Sequence, residues 1–102
     1  ADFYDIALRI DPDYVEALYG MAVLQAFELE NPQDAMDYVK RLLDREPNHT
    51  GGAFVKGNVL VRLGRLEEAL DVYDRLSNNA PEPEQRRRAR ENRDRLLEEL
   101  ES

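Results

Sequence analysis

Three prolines, Pro12, Pro47 and Pro81, stand 35 and 34 residues apart, and each closes a similar apolar-periodic stretch. A recurrence at this interval is the signature of a helical repeat array, in which one unit is too small to bury its own apolar face and stacks on the next. Such stacks make extended surfaces, so the period constrains both the architecture and the kind of work the chain can do.

Within each interval the same residues return. Ala69, Tyr73 and Leu76 before Pro81 correspond to Ala35, Val39 and Leu42 before Pro47, and Tyr4-Asp-Ile-Ala7 occupies the equivalent place before Pro12. Positions three and four apart share one helical face, so each set is the apolar stripe of a helix. Upstream of the later two lie further apolar-periodic segments, Tyr14 to Leu29 and Thr50 to Leu63. Gly64 supplies a left-handed helix end without a side-chain clash. Asn31-Pro32 reads as an N-cap followed by proline at the first helical position. Asp11-Pro12-Asp13 and Glu46-Pro47-Asn48 end one helix and offer a cap for the next. The expectation is helices over 2–10, 13–29, 32–45, 49–63, 66–78 and 83–100, with no strand, paired into stacked hairpins.

With 102 residues the chain has length for one modest core. No apolar run is long enough to cross a bilayer, and the first residues, with neither basic charge nor an apolar stretch, are not a signal peptide. The absence of cysteine removes disulfides and thiolate chemistry and leaves the compartment open. A net charge of −8 argues against general affinity for nucleic acid. That charge is uneven: residues 1–80 hold 8 basic and 15 acidic side chains, residues 81–102 hold 6 and 7.

The spacing of Gly57, Gly64, Ala69, Tyr73 and Pro81 resembles the tetratricopeptide repeat family, whose pattern sets small and aromatic residues at these intervals on two helices. The other unit carries Leu18, Met21-Ala22, Gln25, Ala35, Val39 and Pro47 in the matching places. Departures are Lys56 for the usual leucine, Gln25 for the usual tyrosine, and Ala53 and Leu18 for the usual tryptophan. One extra residue lies between Ala22 and Ala35. The small residues Gly57, Ala69, Ala22 and Ala35 let paired helices approach closely. The resemblance implies an all-α, right-handed superhelical stack of antiparallel hairpins: the second half of a unit over 1–12, complete units over 13–47 and 48–81, and a capping helix over 82–102. The first element, starting at Ala1, lacks a preceding partner and leaves Tyr4, Ile6, Ala7 and Ile10 covered on one side, as in a piece cut from a longer array.

The resemblance also implies where a partner sits, on the concave surface lined by each unit's first helix. It selects Glu16, Tyr19, Val23, Ala26 and Phe27 in one unit and Phe54, Asn58, Val61 and Arg62 in the other. Tyr19, Val23 and Phe27, four residues apart, form one stripe. Phe54, Asn58, Val61 and Arg62 form its neighbour. Aromatic residues beside arginine are preferred anchors of protein interfaces. Between Ala17 and Phe27 only Gln25 is polar, as in a helix covered on all sides. Some members clamp a terminal carboxylate with a lysine one turn before an asparagine; here Phe54 precedes Asn58, which disfavours that activity.

The tail from Glu84 to Leu100 reads as an amphipathic helix with Ala89, Leu96, Leu97 and Leu100 on one side and Arg93 bridging through its stem. Glu84–Arg88, Arg90–Asp94 and Arg95–Glu99 are spaced for surface pairing. The cluster Arg86, Arg87, Arg88 and Arg90 is interleaved with acids and lacks aromatics, which argues against RNA. Nothing points to catalysis, a metal or a cofactor. His49 has no second histidine near it and reads as an exposed loop residue, and Gly51-Gly52 lacks the lysine of a phosphate loop. The expected function is binding of a protein or peptide in the apolar-aromatic groove. The alternative is a scaffold that self-associates through that groove or the half-covered first helix.

Overall fold

The computed structural model describes residues 2–102, which contain helices and no strand; the expected start at Ala1 lies outside them. The helices are α1 (Asp2–Ile10), α2 (Val15–Val23), α3 (Pro32–Arg45), α4 (Thr50–Arg62), α5 (Leu66–Asn79) and α6 (Pro83–Glu101). A π-helical turn, Leu24–Glu28, extends α2. Each helix packs on the next in sequence, α2 also touches α4, and the stack measures 45 × 27 × 19 Å. The fold is the expected all-α stack of helical hairpins.

Close approach is made by the small residues singled out above. Ala22, Ala35 and Ala69 are wholly buried. A Cβ on Gly57 would stand 2.6 Å from the ring of Tyr73, so only glycine lets α4 and α5 come this near. Gly51 and Gly52 play the packing role expected at the start of α4: an added Cβ would meet the Tyr19 ring or Leu42. Between these contacts the fully buried Leu18, Leu42 and Leu60 supply the bulk. Each contributes roughly 2 kcal/mol of apolar burial.

The extra residue of the first complete hairpin is absorbed in the π turn. Leu29 donates to the Leu24 carbonyl five residues back at 3.0 Å, and Asn31 donates to Gln25 at 2.7 Å. In the second hairpin the corresponding closure, Arg65 to Leu60, is 2.9 Å and spans one residue fewer. By its hydrogen bond the Gln25 carbonyl matches that of Leu60, but by burial Ala26 takes the covered place of Leu60, and the half-buried Gln25 is the side chain that the second hairpin lacks. A π turn of this kind is how a helix accommodates one residue without unwinding. Beyond it the chain reverses through Glu30 at φ 49°, the place held 34 residues later by Gly64 at φ 77°.

Several local expectations are corrected. Asn31 stands at the N-cap position, but its side chain donates to Asp34 and caps nothing. The Pro12 and Pro47 segments do not supply caps either: Asp11 accepts from the Asp13 amide within its own turn. The residue that caps α4 is His49, whose Nδ1 accepts from the Gly52 N–H at 2.8 Å. It is half-buried, with the Tyr19 ring 5.1 Å away, and not an exposed loop residue. The polar tail conceals a capping box in which the Gln85 side chain accepts from the Glu82 N–H at 3.1 Å.

Candidate protein-interaction surface

The seven residues Tyr19, Val23, Phe27, Phe54, Asn58, Val61 and Arg62 share one property: each retains solvent access. Their neighbours on the same helices, among them Leu18, Ala22, Val55 and Leu60, do not. Helical periodicity produces this split, because the hairpin partner covers one side of each first helix and leaves the other. The segment from Ala17 to Phe27 is therefore not covered all round; Phe27 is 46% exposed and Leu29 beyond it 57%.

Phe27 and Arg62 meet across the two units. The Arg62 guanidinium lies 5.4 Å from the Phe27 ring centroid, and its Nη1 donates to the Ala26 carbonyl at 2.7 Å. That carbonyl is one of those a helix end leaves without a partner. Cation and helix C-terminus are complementary. Arg62 is thus anchored within the fold and not a free handle at the rim.

Tyr19 is drawn toward α4, where its ring fills the space beside Gly51 and His49. Phe54 spans three helices: its centroid is 6.2 Å from that of Tyr73 on α5, and the Arg88 guanidinium of α6 lies 4.9 Å above it. Val23 and Val61 are half-buried against the core. Asn58 is half-buried, and its carboxamide oxygen is enclosed with no hydrogen-bond partner. An enclosed acceptor without a donor costs about 1–3 kcal/mol. Glu16 is exposed and receives the Tyr14 hydroxyl, whereas Ala26 is buried and outside the surface.

Sequence reasoning missed Arg88 as a neighbour of Phe54. None of Glu84–Arg88, Arg90–Asp94 and Arg95–Glu99 pairs. Glu84 instead joins Arg87, which also reaches Glu91 at 3.5 Å. Asp94 is taken by Arg93, itself half-buried against Asp74 at 3.4 Å. Spacing permits a surface pair, but nearer competitors and ring faces decide where an arginine lies. Arg86 donates to the Ala80 carbonyl at 2.7 Å and closes the end of α5. On the tail helix Ala89 and Leu96 are buried, while Leu97 and Leu100 are 38% and 37% exposed.

A second concavity lies on the other side of α4. Lys56 is about 200° around the helix from Phe54 and from Asn58. There α3 and α5 each pack on α4 but scarcely on one another. The gap holds two adjoining clefts of about 600 and 280 Å³ that share Lys56, Val72 and Arg75.

A profile described as Tetratricopeptide repeat matches residues 26–91, well over half of the chain, and the chain belongs to that family. Its repeats serve in protein interaction and scaffolding and are generally non-catalytic. The chain is also similar to Protein O-mannosyl-transferase Tmtc3 of Drosophila melanogaster, 28% identical over 72 residues. The match covers 70% of this chain and 8% of that protein. No helix among the described residues is long and apolar enough to cross a membrane.

Proposed function

We propose that this chain is a non-catalytic protein-interaction module that receives a partner peptide or domain along Tyr19, Val23, Phe27, Phe54, Asn58, Val61 and Arg62. The observation that carries the reading is the solvent access that all seven keep beside the buried core residues Leu18, Ala22, Val55 and Leu60 of the same helices. A mostly apolar strip with arginines stacked on two of its rings, at 5.4 and 4.9 Å, has the composition of a protein interface. Its anchors are held in place before a partner arrives, which lowers the ordering cost of binding. The transferase activity of the Drosophila protein is not carried over, since the similarity spans so little of its length.

Peptide-display selection on the intact chain tests this. Enriched sequences should carry apolar or aromatic anchors, and the variant Phe27→Glu with Phe54→Glu should lose them while helicity by circular dichroism is kept. Selection of the same sequences by that variant would reject the surface.

The second reading is a self-associating scaffold, favoured by one observation. On α1 the residues Phe3, Ile6 and Ile10 are 74%, 55% and 81% exposed. They form a largely exposed stripe at helical spacing. Sedimentation over a concentration series distinguishes the two, and a persistent monomer eliminates self-association.

A further inference from the structure

We infer that the cleft between α3 and α5 is a second docking site, on the side of α4 away from the aromatic strip, and that its occupant is an extended acidic peptide segment bearing apolar side chains. The proposal is independent of the reading given above for the aromatic strip.

Charge is the first ground. Half of the eight cations of residues 1–80 line this one gap: Lys40, Lys56, Arg65 and Arg75. Only two carboxylates, Glu68 and Asp71, line it with them, and Glu68 is already bound to Arg65. Among the described residues Lys40, Lys56 and Arg75 form no ion pair. The larger cleft has Lys56 and Arg75 in its wall and no carboxylate at all. On a chain of net charge −8 this is a local reversal of sign. With a screening length of about 8 Å in physiological salt, the charges that line the cleft act on a ligand inside it more strongly than those farther away.

The repeat itself supplies the second ground. Lys56 occupies the position held 35 residues earlier by Met21, which is buried at 5% exposure. A place that takes a covered apolar side chain in one unit takes a half-buried lysine in the next. A lysine stem can lie along apolar surface only while its charged end finds water or an anion.

Shape and lining complete the case. A volume of about 600 Å³ is of the size that admits several side chains or a short segment. Its floor and walls, Leu43, Ala53, Val72 and Leu76, would take apolar side chains between the carboxylates. Asn48 and Asn79 stand at its edge with amide groups suited to a peptide backbone.

Peptide-display selection on the chain carrying Phe27→Glu and Phe54→Glu, with the aromatic strip disabled, tests the assignment. Selected peptides should be enriched in Asp and Glu alternating with apolar residues. A synthetic peptide of the consensus should shift the amide resonances of Ala53, Lys56, Val72 and Arg75. Lys56→Met, which restores the residue of the first unit, should weaken it at least about tenfold. Replacing the acids of the peptide by amides should do the same. Failure to enrich acidic peptides, equal binding by Lys56→Met, or resonance shifts confined to other helices would overturn the proposal. So would inorganic phosphate producing the same shifts at the same concentration as the peptide, since the site would then be a small-anion site. Concentration-dependent shifts of the chain alone at these residues would overturn it in favour of a second copy.

Discussion

Arg62 donates from Nη1 to the carbonyl of Ala26 at 2.7 Å, closing the end of one unit's first helix with a side chain from the next unit. The bond links residues 36 apart, and it also holds the guanidinium over Phe27. Stability of the first unit and placement of its most exposed aromatic therefore depend on the same side chain.

Removing that side chain should lower stability by about 1–2 kcal/mol, since a helix-end carbonyl loses its donor and a favourable dipole contact. Urea denaturation of Arg62→Ala measures this. Arg62→Lys should recover only part, because an ammonium keeps the charge but not the flat face that stacks on Phe27. Full recovery by lysine would show that charge alone acts here.

Deleting Gln25 should convert the π turn to regular α-helix and leave a cooperatively folding chain. Deleting Ala26 instead should be worse by at least about 1 kcal/mol, because it moves the polar Gln25 side chain into a buried place. Circular dichroism with urea melts orders the two; equal losses would show that the insertion is not located at Gln25.

Glu30 and Gly64 hold equivalent left-handed positions, φ 49° and 77°, but only the second is glycine. Glu30→Gly should raise stability by about 0.5–1 kcal/mol through relief of that conformation, and Gly64→Ala should lower it by a similar amount. A destabilised Glu30→Gly chain would mean that the added freedom of the unfolded state outweighs the strain.

Burial of Tyr73 against α4 raises its hydroxyl above the ordinary tyrosine value, with Arg88 and Arg95 acting in the opposite direction. A raised folded value means that the native chain holds its proton where the unfolded chain has lost it. Its contribution is then complete below about pH 10 and is lost as pH rises through the raised value. Tyr73→Phe should flatten the alkaline fall in stability measured by urea melts at increasing pH. An unchanged slope would assign that fall to other groups.

Much of this molecule was legible from spacing alone. The proline period, Gly64 and the recurring small residues place all six helices within a few residues of their observed bounds, because helix ends and apolar faces are set by local stereochemistry. The seven surface residues follow from the same periodicity together with the family pattern. The details that decide chemistry did not follow. His49 reads as a loop histidine until Gly52 and Tyr19 are seen around it. Arg88 reads as one of a basic cluster until Phe54 is found 4.9 Å beneath it.

Lys56 shows the division most clearly. As a residue it is only a departure from an apolar pattern, and its neighbours in the chain say nothing of Lys40 or Arg75. Period and punctuation act through contacts a few residues apart, so the chain carries them in plain form. The cleft depends on how far α3 and α5 stand apart on α4, which is settled by packing between helices remote in sequence. Tertiary structure alone brings Lys40, Lys56, Arg65 and Arg75 to one cleft.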